Sequence, residues 1–375
     1  MVRDQGGGPR RSVARMNVSL LNQEEDAMGG MRILLRRVLR IAAILGLTAP
    51  VLSLVSVAEA GVLETVRARG HLICGVGDGP KGYSLLSGEG VWSGISVDFC
   101  RALAAAVLGS KDAAKFVAVS PGERFTALLS GDIDVLSRNV AMTSSRDTAH
   151  GIRFPGVLVF DGQAFMVRKS QGVASALELS GTRICIVTET ADAQGIADYF
   201  GALRMPFELS KFDKWPDAVM AYTNKGCQVL SADLSVLALA RQEFADPGDH
   251  IILPEFATRQ LVGPAVRQGD EDWFSVVRWT IYALIAAEEL GVTAANVDNM
   301  RASGSPEVRR FLGADLEFGQ RLGLSADWTQ RTIKQVGNYG ELFERHLGLK
   351  SPLKLERRLN NLAIKGGLHY APSFR

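Results

Sequence analysis

The chain has 375 residues and a formal net charge of +2, with 47% apolar and 22% charged residues. This length and composition predict about two globular domains, and they exclude a disordered, collagen-like or multi-span membrane protein. The small basic excess lies within the first 60 residues, so the near-neutral remainder gives no electrostatic support for binding nucleic acid.

Residues 31–60 have the three parts of a secretory signal peptide. Arginines open the segment, an apolar run covers residues 41–57, and an Ala-Glu-Ala sequence ends at Ala60. We therefore expect cleavage near Ala60-Gly61 and a mature chain outside the cytoplasm. The alternative is an uncleaved anchor helix, because the apolar run is about long enough to span a bilayer. Residues 1–30 show no periodicity and are predicted to be a disordered or mis-annotated extension.

All four cysteines lie in the predicted mature chain. An even number in an oxidising compartment indicates disulfides, and three pairings are possible. The nearest-neighbour pairing, Cys74–Cys100 and Cys185–Cys227, would keep each bridge inside one local β–α region; four free buried thiols are the alternative. No cysteine or histidine cluster has the spacing of a metal site, so we expect no metal.

The first half of the mature chain alternates strands and helices. The predicted elements are a strand at His71–Gly77, a helix at Ser96–Leu108, a strand at Lys115–Ser120, a helix at Pro121–Leu129 and a strand at Ile133–Ser137. This alternation predicts an α/β protein with a parallel sheet and crossover helices.

The same alternation returns in the second half. Its predicted strands are Arg183–Val187, Phe207–Phe212, Cys227–Ser231 and Ile251–Leu253, and its predicted helices are Ala191–Leu203, Trp215–Asn224 and Leu234–Phe244. A long amphipathic helix is predicted to begin after Asp272 and to run to Leu290. Asp and Glu in its first turn suit the positive end of the helix dipole.

Two extended runs, Val157–Lys169 and Leu261–Arg267, join these halves. They predict two lobes connected by two crossover hinge strands, with a ligand cleft between the lobes. Lobe 1 is predicted to comprise residues 61–157 plus 265–375, and lobe 2 residues 158–262. Two independent tandem domains are the alternative, but the C-terminal part is too long and too helical to be a linker.

Several long segments resemble one known family. They are LETVRARGHLICGVG (63–77), RFTALLSGDIDVLSRN (124–139), SSRDT (144–148), DGQAFMVRKS (161–170), GPAVRQGDEDWF (263–274), VGNYGELFERHLG (336–348) and GGLHYAP (366–372). The mature chain resembles the periplasmic substrate-binding proteins of amino-acid ABC transporters, above all the general L-amino-acid binding proteins of proteobacteria. The resemblance implies the two-lobed periplasmic-binding-protein fold (type II) and a monomer without cofactor or catalysis. It also implies that the protein captures a small solute and passes it to an inner-membrane permease.

A free amino acid offers an α-carboxylate and an α-ammonium. A guanidinium with nearby hydroxyl and amide donors suits the carboxylate, and the resemblance implies Arg146 for this role, in a turn that begins at Asn139 and includes Thr143. The resemblance implies Asp233 as partner of the ammonium. The alternatives are a surface Arg146 paired with Asp147, and an Asp233 that caps the following helix, which is compatible with ligand binding.

Three further residues are candidate ligand contacts. Phe125 could cover the side chain of the ligand or simply belong to the helix core. Asp78 follows the first strand in a glycine-rich turn and could touch a polar ligand group, with an ordinary turn residue as the alternative. Thr190 lies where the family has a Gly-Thr-Thr-Thr turn at a helix N-terminus, which is a ready anion site.

Two short segments depart from the family pattern. Residues 140–142 lack two hydroxyls and an aromatic side chain, and residues 189–192 place two acids beside the predicted carboxylate-binding turn. We therefore predict an altered solute, either a cationic or amine-rich amino acid or a compound that is not an ordinary amino acid; a relative that binds weakly is the alternative. The residues concerned are Val140, Ala141, Met142, Glu189, Ala191 and Asp192.

Two other classes of function deserve comparison with transport. One is a periplasmic enzyme on the same fold, similar to cyclohexadienyl or arogenate dehydratases, with Glu189 or Asp192 as its cleft acid. The other is a module that reports ligand occupancy to a receptor. The five histidines are scattered and no nucleophile-elbow motif occurs, so hydrolase chemistry lacks support. Nor does any basic cluster with interleaved aromatics indicate nucleic acid.

Overall fold

The structure, a computed structural model, describes residues 60–77, 81–149, 151–188, 193–314 and 316–374. Of the predicted signal peptide and the extension before it, only Ala60 falls within these ranges. Within the same ranges, no helix combines the length and the apolar character that crossing a bilayer requires.

A parallel sheet with its helices occupies the first part of the described chain. Its elements are α1 (Val62–Arg69), β1 (Leu72–Val76), β2 (Leu85–Leu86), β3 (Trp92–Ser93), α2 (Ile95–Leu108), β4 (Ala114–Ala118), α3 (Arg124–Ser130), β5 (Val135–Leu136), α4 (Ser144–Ala149) and β6 (Ile152–Arg153). The first sheet has the order β4–β1–β5, with parallel pairs. The central β1 is buried almost throughout, as its apolar run predicts.

A larger sheet follows. Its segment contains β7 (Val159–Asp161), β8 (Gln163–Arg168), β9 (Thr182–Val187), α5 (Ala193–Ala202), β10 (Phe207–Phe212), α6 (Trp215–Thr223), β11 (Val229–Asp233), α7 (Leu234–Glu243), β12 (His250–Phe256), β13 (Gln260–Val262) and β14 (Val266–Arg267). The second sheet has the order β10–β9–β11–β8–β12. Its β8 runs antiparallel to both neighbours, whereas β9 pairs in parallel with β10 and β11.

Two antiparallel ribbons connect the parts that carry the two sheets. One pairs β6 with β14, and the other pairs β7 with β13. The predicted run Leu261–Arg267 lies in these ribbons, whereas the predicted run Val157–Lys169 contributes β7 to a ribbon and continues as β8 in the second sheet. Each run is broken at a glycine. A Cβ on Gly162 would lie 2.2 Å from the carbonyl oxygen of Thr258, and one on Gly263 would lie 2.0 Å from that of Gly156. Only glycine allows the backbones to approach so closely.

The C-terminal part packs on the first sheet through helices. These are α8 (Glu271–Glu289), α9 (Val297–Ser303), α10 (Pro306–Arg309), α11 (Leu316–Arg321), α12 (Trp328–Val336) and α13 (Tyr339–His346). Helix α2 contacts β1 and β4 on one side and α8, α12 and α13 on the other, which explains why its sequence is apolar on nearly every face. The predicted lobe boundaries at residues 157 and 265 stay a prediction.

The last residues return to the ribbons. The side-chain amide of Asn360 accepts from the nitrogen of Phe160 at 2.7 Å and donates to its oxygen at 2.8 Å. Arg358 donates to the carbonyl oxygens of Ile252 and Leu253 in β12. This C-terminal tail therefore contacts β7 and the edge of the second sheet.

The cysteines are paired as nearest neighbours, which confirms the predicted disulfides. Cys74 of β1 is joined to Cys100 of α2, and Cys185 of β9 is joined to Cys227, which precedes β11. All four are buried. Each bridge fastens a core strand to an element beside it.

Several predicted element bounds are wrong by a few residues. The helix predicted from Pro121 begins at Arg124, because residues 121–123 form a turn. The strand predicted over Ile133–Ser137 is only two residues long. The β2–β3 hairpin was not anticipated, since strands of two residues show no periodicity.

Candidate functional site

Arg146 lies on α4, directly after the turn that the sequence singles out. Its Nη1 donates to the carbonyl oxygen of Ala141 at 2.7 Å, and its backbone nitrogen donates to Thr143 Oγ1 at 3.3 Å. The alternative pairing with Asp147 does not form, because Asp147 Oδ1 accepts from the backbone nitrogen of Phe154 at 3.1 Å. Among the described residues no carboxylate pairs with Arg146, so its guanidinium is oriented by backbone and keeps donors for another group.

Asp233 ends β11 and immediately precedes α7. It occupies the N-cap position, but its side chain does not cap the helix. Instead Oδ1 accepts from Gln260 Nε2 at 2.7 Å. Burial, and then the nearby charge of Asp161, raise the pKa of Asp233 to about 7. A positive group beside this carboxylate would stabilise its ionised form and so bring the pKa of Asp233 back down.

Strand β13 connects these two groups. Ala141, whose oxygen accepts from Arg146, forms an antiparallel bridge with Val262. Two residues earlier in the same strand, Gln260 holds Asp233. The guanidinium and the carboxylate are therefore both attached to one crossing ribbon, although they belong to segments that carry different sheets.

A buried polar network lies next to Asp233. Asp161 accepts from Tyr83 Oη at 2.9 Å, from Ser235 Oγ at 2.7 Å and from the backbone nitrogen of Gly162 at 2.8 Å. Burial raises the pKa of Asp161 even though these three donors act to lower it. The network joins the segment before β2, the ribbon strand β7 and helix α7, and so fixes the strand from which the ribbon crosses.

Two arginines that sequence reasoning missed lie at the edge of the first sheet. Arg138 Nη1 donates to the carbonyl oxygen of Val119 at 2.7 Å. Arg124 donates to the carbonyl oxygen of Pro121. Burial and then the charge of Arg146 lower the pKa of Arg124, and burial and then the charge of Arg124 lower that of Arg138. The available signal was their position after the ends of two parallel strands.

The remaining predicted contacts differ in their surroundings. Thr143 is exposed and its hydroxyl lies 3.1 Å from that of Ser145. Asn139 is also exposed. Phe125 is half-buried against the core and lies under the guanidinium of Arg124, 4.7 Å from ring centroid to Cζ. Val140 is buried in that same core. The hydroxyl that the family pattern has at this position is therefore not a donor that the cleft has lost.

Part of the predicted site lies outside the described residues. This applies to Asp78 and to residues 189–192 with Thr190, so the argument for an altered solute stays a prediction. Within the described ranges, no group of three or more His, Cys, Asp or Glu side chains could hold a metal ion.

The family model of the bacterial extracellular solute-binding proteins, family 3, matches residues 72–295. The general L-amino acid-binding periplasmic protein of Rhizobium johnstonii is 48% identical over 322 residues, which cover 85% of this chain and 94% of that protein. The glutamate/glutamine/aspartate/asparagine-binding protein of Rhodobacter capsulatus is 43% identical over 319 residues, with the same two coverages of 85% and 94%.

A solved structure shows the same fold. The periplasmic binding protein of Brucella ovis with glutathione bound superposes with a TM-score of 0.74 at 45% identity, covering 84% of this chain and all of that one. This confirms the predicted two-lobed periplasmic-binding-protein architecture. On the matched length, the identities and the shared fold, the chain belongs to the bacterial extracellular solute-binding proteins of family 3.

Proposed function

We propose that this protein captures an amino acid or a related small zwitterion outside the cytoplasm and delivers it to an inner-membrane ABC permease. The named relatives bind amino acids, and the Brucella ovis structure contains glutathione. The observation that carries the proposal for this chain is the shared attachment of Arg146 and Asp233 to β13. Two opposite charges on different lobes, both fastened to the hinge, suit the two charged ends of a zwitterion.

In this proposal Arg146 holds the α-carboxylate with help from Thr143 and Asn139, and Asp233 holds the α-ammonium. Gln260 keeps the carboxylate of Asp233 in place through its 2.7 Å hydrogen bond. Closure of the lobes completes the site and removes water, which strengthens both ion pairs.

Three further residues complete the proposed set of contacts. Phe125, which is half-buried, offers an apolar edge to the side chain of the solute. Asp78 and Thr190 are proposed contacts on the two sequence segments that the resemblance assigns to the cleft. The pairing of Arg146 and Asp233 with the two charged ends of the solute requires neither of these two residues.

Calorimetry of the mature chain, from residue 61, with the twenty amino acids tests the proposal. Arg146→Gln and Asp233→Asn should each lower affinity for the best ligand about a hundredfold or more, because each leaves a buried charge of the ligand unpaired. Arg183→Gln is the matched control, since this arginine pairs with Glu208 on an exposed surface. Wild-type affinity in both site variants would contradict the site.

The solute class is testable at the same time. A thermal-shift panel of neutral, acidic and basic amino acids, polyamines and small acids separates ordinary amino-acid binding from the altered solute that residues 189–192 favour. Strong stabilisation by neutral amino acids would contradict the altered solute.

The partner, the location and the absence of catalysis belong to the same proposal. We expect a monomer in light scattering, a mature N-terminus at Gly61 in the periplasmic fraction, and no turnover of prephenate or arogenate by the pure protein. Stimulation of the permease ATPase by the liganded protein would separate transport from a purely sensory role.

A further inference from the structure

A buried hydrogen bond joins the segment before β2 to the end of the ribbon strand β7. The hydroxyl of Tyr83 donates to Asp161 Oδ2 at 2.9 Å. Tyr83 is 1% exposed and Asp161 is 6% exposed, so bulk water does not reach either group in this arrangement. Breaking the bond without admitting water would leave a buried carboxylate short of a donor, which costs free energy.

Tyr83 is fastened to the part of the chain that carries the first sheet. Its backbone oxygen accepts from the nitrogen of Ser96 at 3.0 Å, and the oxygen of Gly82 accepts from the nitrogen of Ile95 at 2.8 Å. Both donors lie in the first turn of α2. A Cβ on Gly94 would lie 2.1 Å from the oxygen of Tyr83, so the contact with the start of α2 has no slack. Because α2 packs on β1 and β4, Tyr83 must move with the first sheet.

Asp161 is fastened to the part of the chain that carries the second sheet. Ser235 Oγ donates to Asp161 Oδ2 at 2.7 Å, and the nitrogen of Gly162 donates to Oδ1 at 2.8 Å. The oxygen of Gly162 in turn accepts from the nitrogen of Leu234, the first residue of α7, at 2.9 Å. Because α7 contacts β8, β11 and β12, Asp161 must move with the second sheet.

Both ends of this hydrogen bond are attached to the carboxyl ends of strands. On one side, Ser84 Oγ donates to the carbonyl oxygen of Gly77, directly after β1, at 2.6 Å. On the other side, Ser235 lies two residues after Asp233, which ends β11. Ligands of α/β proteins bind in the crevice outside the carboxyl ends of the strands. The bond therefore draws the ligand-binding edges of the two lobes together.

We propose that the hydrogen bond between Tyr83 and Asp161 is a latch between the lobes, which favours the closed arrangement and so raises the affinity for every solute that the cleft accepts. Both are positioning residues, because neither contacts the solute. The apparent affinity of a binding protein scales with the fraction of molecules in the binding-competent arrangement. The inference rests on the proposed function only in using solute affinity as one of its two measurements.

The empty protein provides the first test. Tyr83→Phe removes the donating hydroxyl and keeps the ring, so small-angle X-ray scattering of the mature chain should give it a larger radius of gyration than the wild type. Ser235→Ala, which removes a bond that orients Asp161, should change the radius in the same direction. Tyr370→Phe is the matched control, since this tyrosine is 69% exposed, and it should behave as the wild type.

Solute binding provides the second test. A latch that the solute does not touch changes all affinities by one common factor. Calorimetry with L-glutamate, L-glutamine and glutathione should show about five- to thirtyfold weaker binding by Tyr83→Phe, because a hydrogen bond to a charged group is lost. The ratios between the three affinities should stay as they are in the wild type. Thermal unfolding of each variant shows that it is folded.

The outcomes separate the latch from the proposed function. Equal radii of gyration for the empty wild type and the empty Tyr83→Phe variant would overturn the latch, and so would unchanged affinities. A lower melting temperature with neither change would leave the bond a purely structural role. Losses that differ strongly between the three solutes would make Tyr83 a direct contact and would also contradict the latch. If the wild type binds none of the three probes, their capture fails, whereas the scattering comparison still decides on the latch.

Discussion

At Asp233 the fold keeps a carboxylate where burial and the charge of Asp161 oppose its ionisation. Among the described residues, Gln260 is the side chain that donates a hydrogen bond to it. An incoming ammonium would favour the ionised form, so proton release and ligand binding are coupled.

We expect the affinity for a zwitterionic amino acid to fall as the pH drops below about 7, the pKa of Asp233. Below that value the carboxyl group must first lose a proton, which lowers affinity by up to about tenfold per pH unit. Calorimetry between pH 5 and 8, about two units on the acid side, measures the slope. Asp233→Asn should remove it, and a flat wild-type profile would argue against the assigned role.

The same raised pKa makes the stability of the unliganded protein change with pH in the opposite direction to the ligand affinity. The folded state holds a proton that the unfolded chain has released, so the unliganded protein loses stability as the pH rises from about 4 to about 7. Asp233→Asn should raise the free energy of unfolding at pH 8 by on the order of 1–3 kcal/mol. Urea unfolding measures this, with the exposed Asp132→Asn as an unaffected control.

The sequence indicated part of this site. Arg146 and Asp233 were predicted because each lies in a segment that resembles known binding proteins. Gln260 was not predicted, because its contact with Asp233 depends on how β13 crosses β11. Arg124 and Arg138 were missed since only the convergence of three strand ends brings them beside Arg146.

At the scale of elements, Asp98 joins α2 to α13. It is 5% exposed, and it accepts from Arg101 Nη1 at 2.8 Å, from His346 Nε2 at 2.7 Å and from Arg345. Burial alone would raise the pKa of Asp98, but hydrogen bonds and charges from these partners hold it well below its ordinary range. Ionised Asp98 therefore stabilises the fold at pH values above the ordinary pKa of an aspartate.

Asp98→Ala should lower the free energy of unfolding at pH 7 by about 1–3 kcal/mol, because it leaves the partly exposed Arg101 and Arg345 without their carboxylate partner. The difference from wild type should narrow as the pH falls below about 4, because the unfolded wild-type chain then takes up a proton at Asp98 while the folded state still resists it. Urea unfolding at pH 7 and at pH 3 tests both statements. An equal difference at the two pH values would contradict this account.

The disulfides act on the same scale. They close separations of 26 and 42 residues, and loop-closure entropy assigns about 3.5 and 4 kcal/mol to such bridges. We expect Cys74→Ser/Cys100→Ala and Cys185→Ser/Cys227→Ala each to lower stability by about these amounts. Urea unfolding with and without a reductant provides the check; wild-type stability after complete reduction would contradict it.

Strand–helix alternation predicted most elements of both sheets, because amphipathic helices and apolar strands leave clear periods. The short helices α9, α10 and α11 left no such signal. Helix α9 packs against α12 and α10, and a turn at Gly313, where φ is +97°, separates α10 from α11. Local pattern therefore predicted the sheets better than the helical layer.

At the scale of the whole molecule, the two ribbons are the hinge about which one lobe can rotate relative to the other. Gly156 and Gly263 meet at this crossing. Gly263→Ala should push the crossing strands apart, lower stability by about 1–3 kcal/mol and weaken ligand binding. Gly201→Ala is the control, because a Cβ at Gly201 would meet only open space. Gly172 also has open space around it, but its φ of +65° would strain an alanine. Unchanged binding and stability in Gly263→Ala would contradict a hinge at this crossing.

The C-terminal tail adds a third attachment to these two crossings. Asn360 fastens it to β7, Arg358 to β12, and Arg357 to Glu288 of α8. A motion that pulls β12 away from α8 must break these bonds, whereas a rotation that carries the tail with the ribbons preserves them. The tail is therefore a third connection that limits how far the two lobes of the empty protein can separate, and cutting it would leave only the two ribbons to limit that opening.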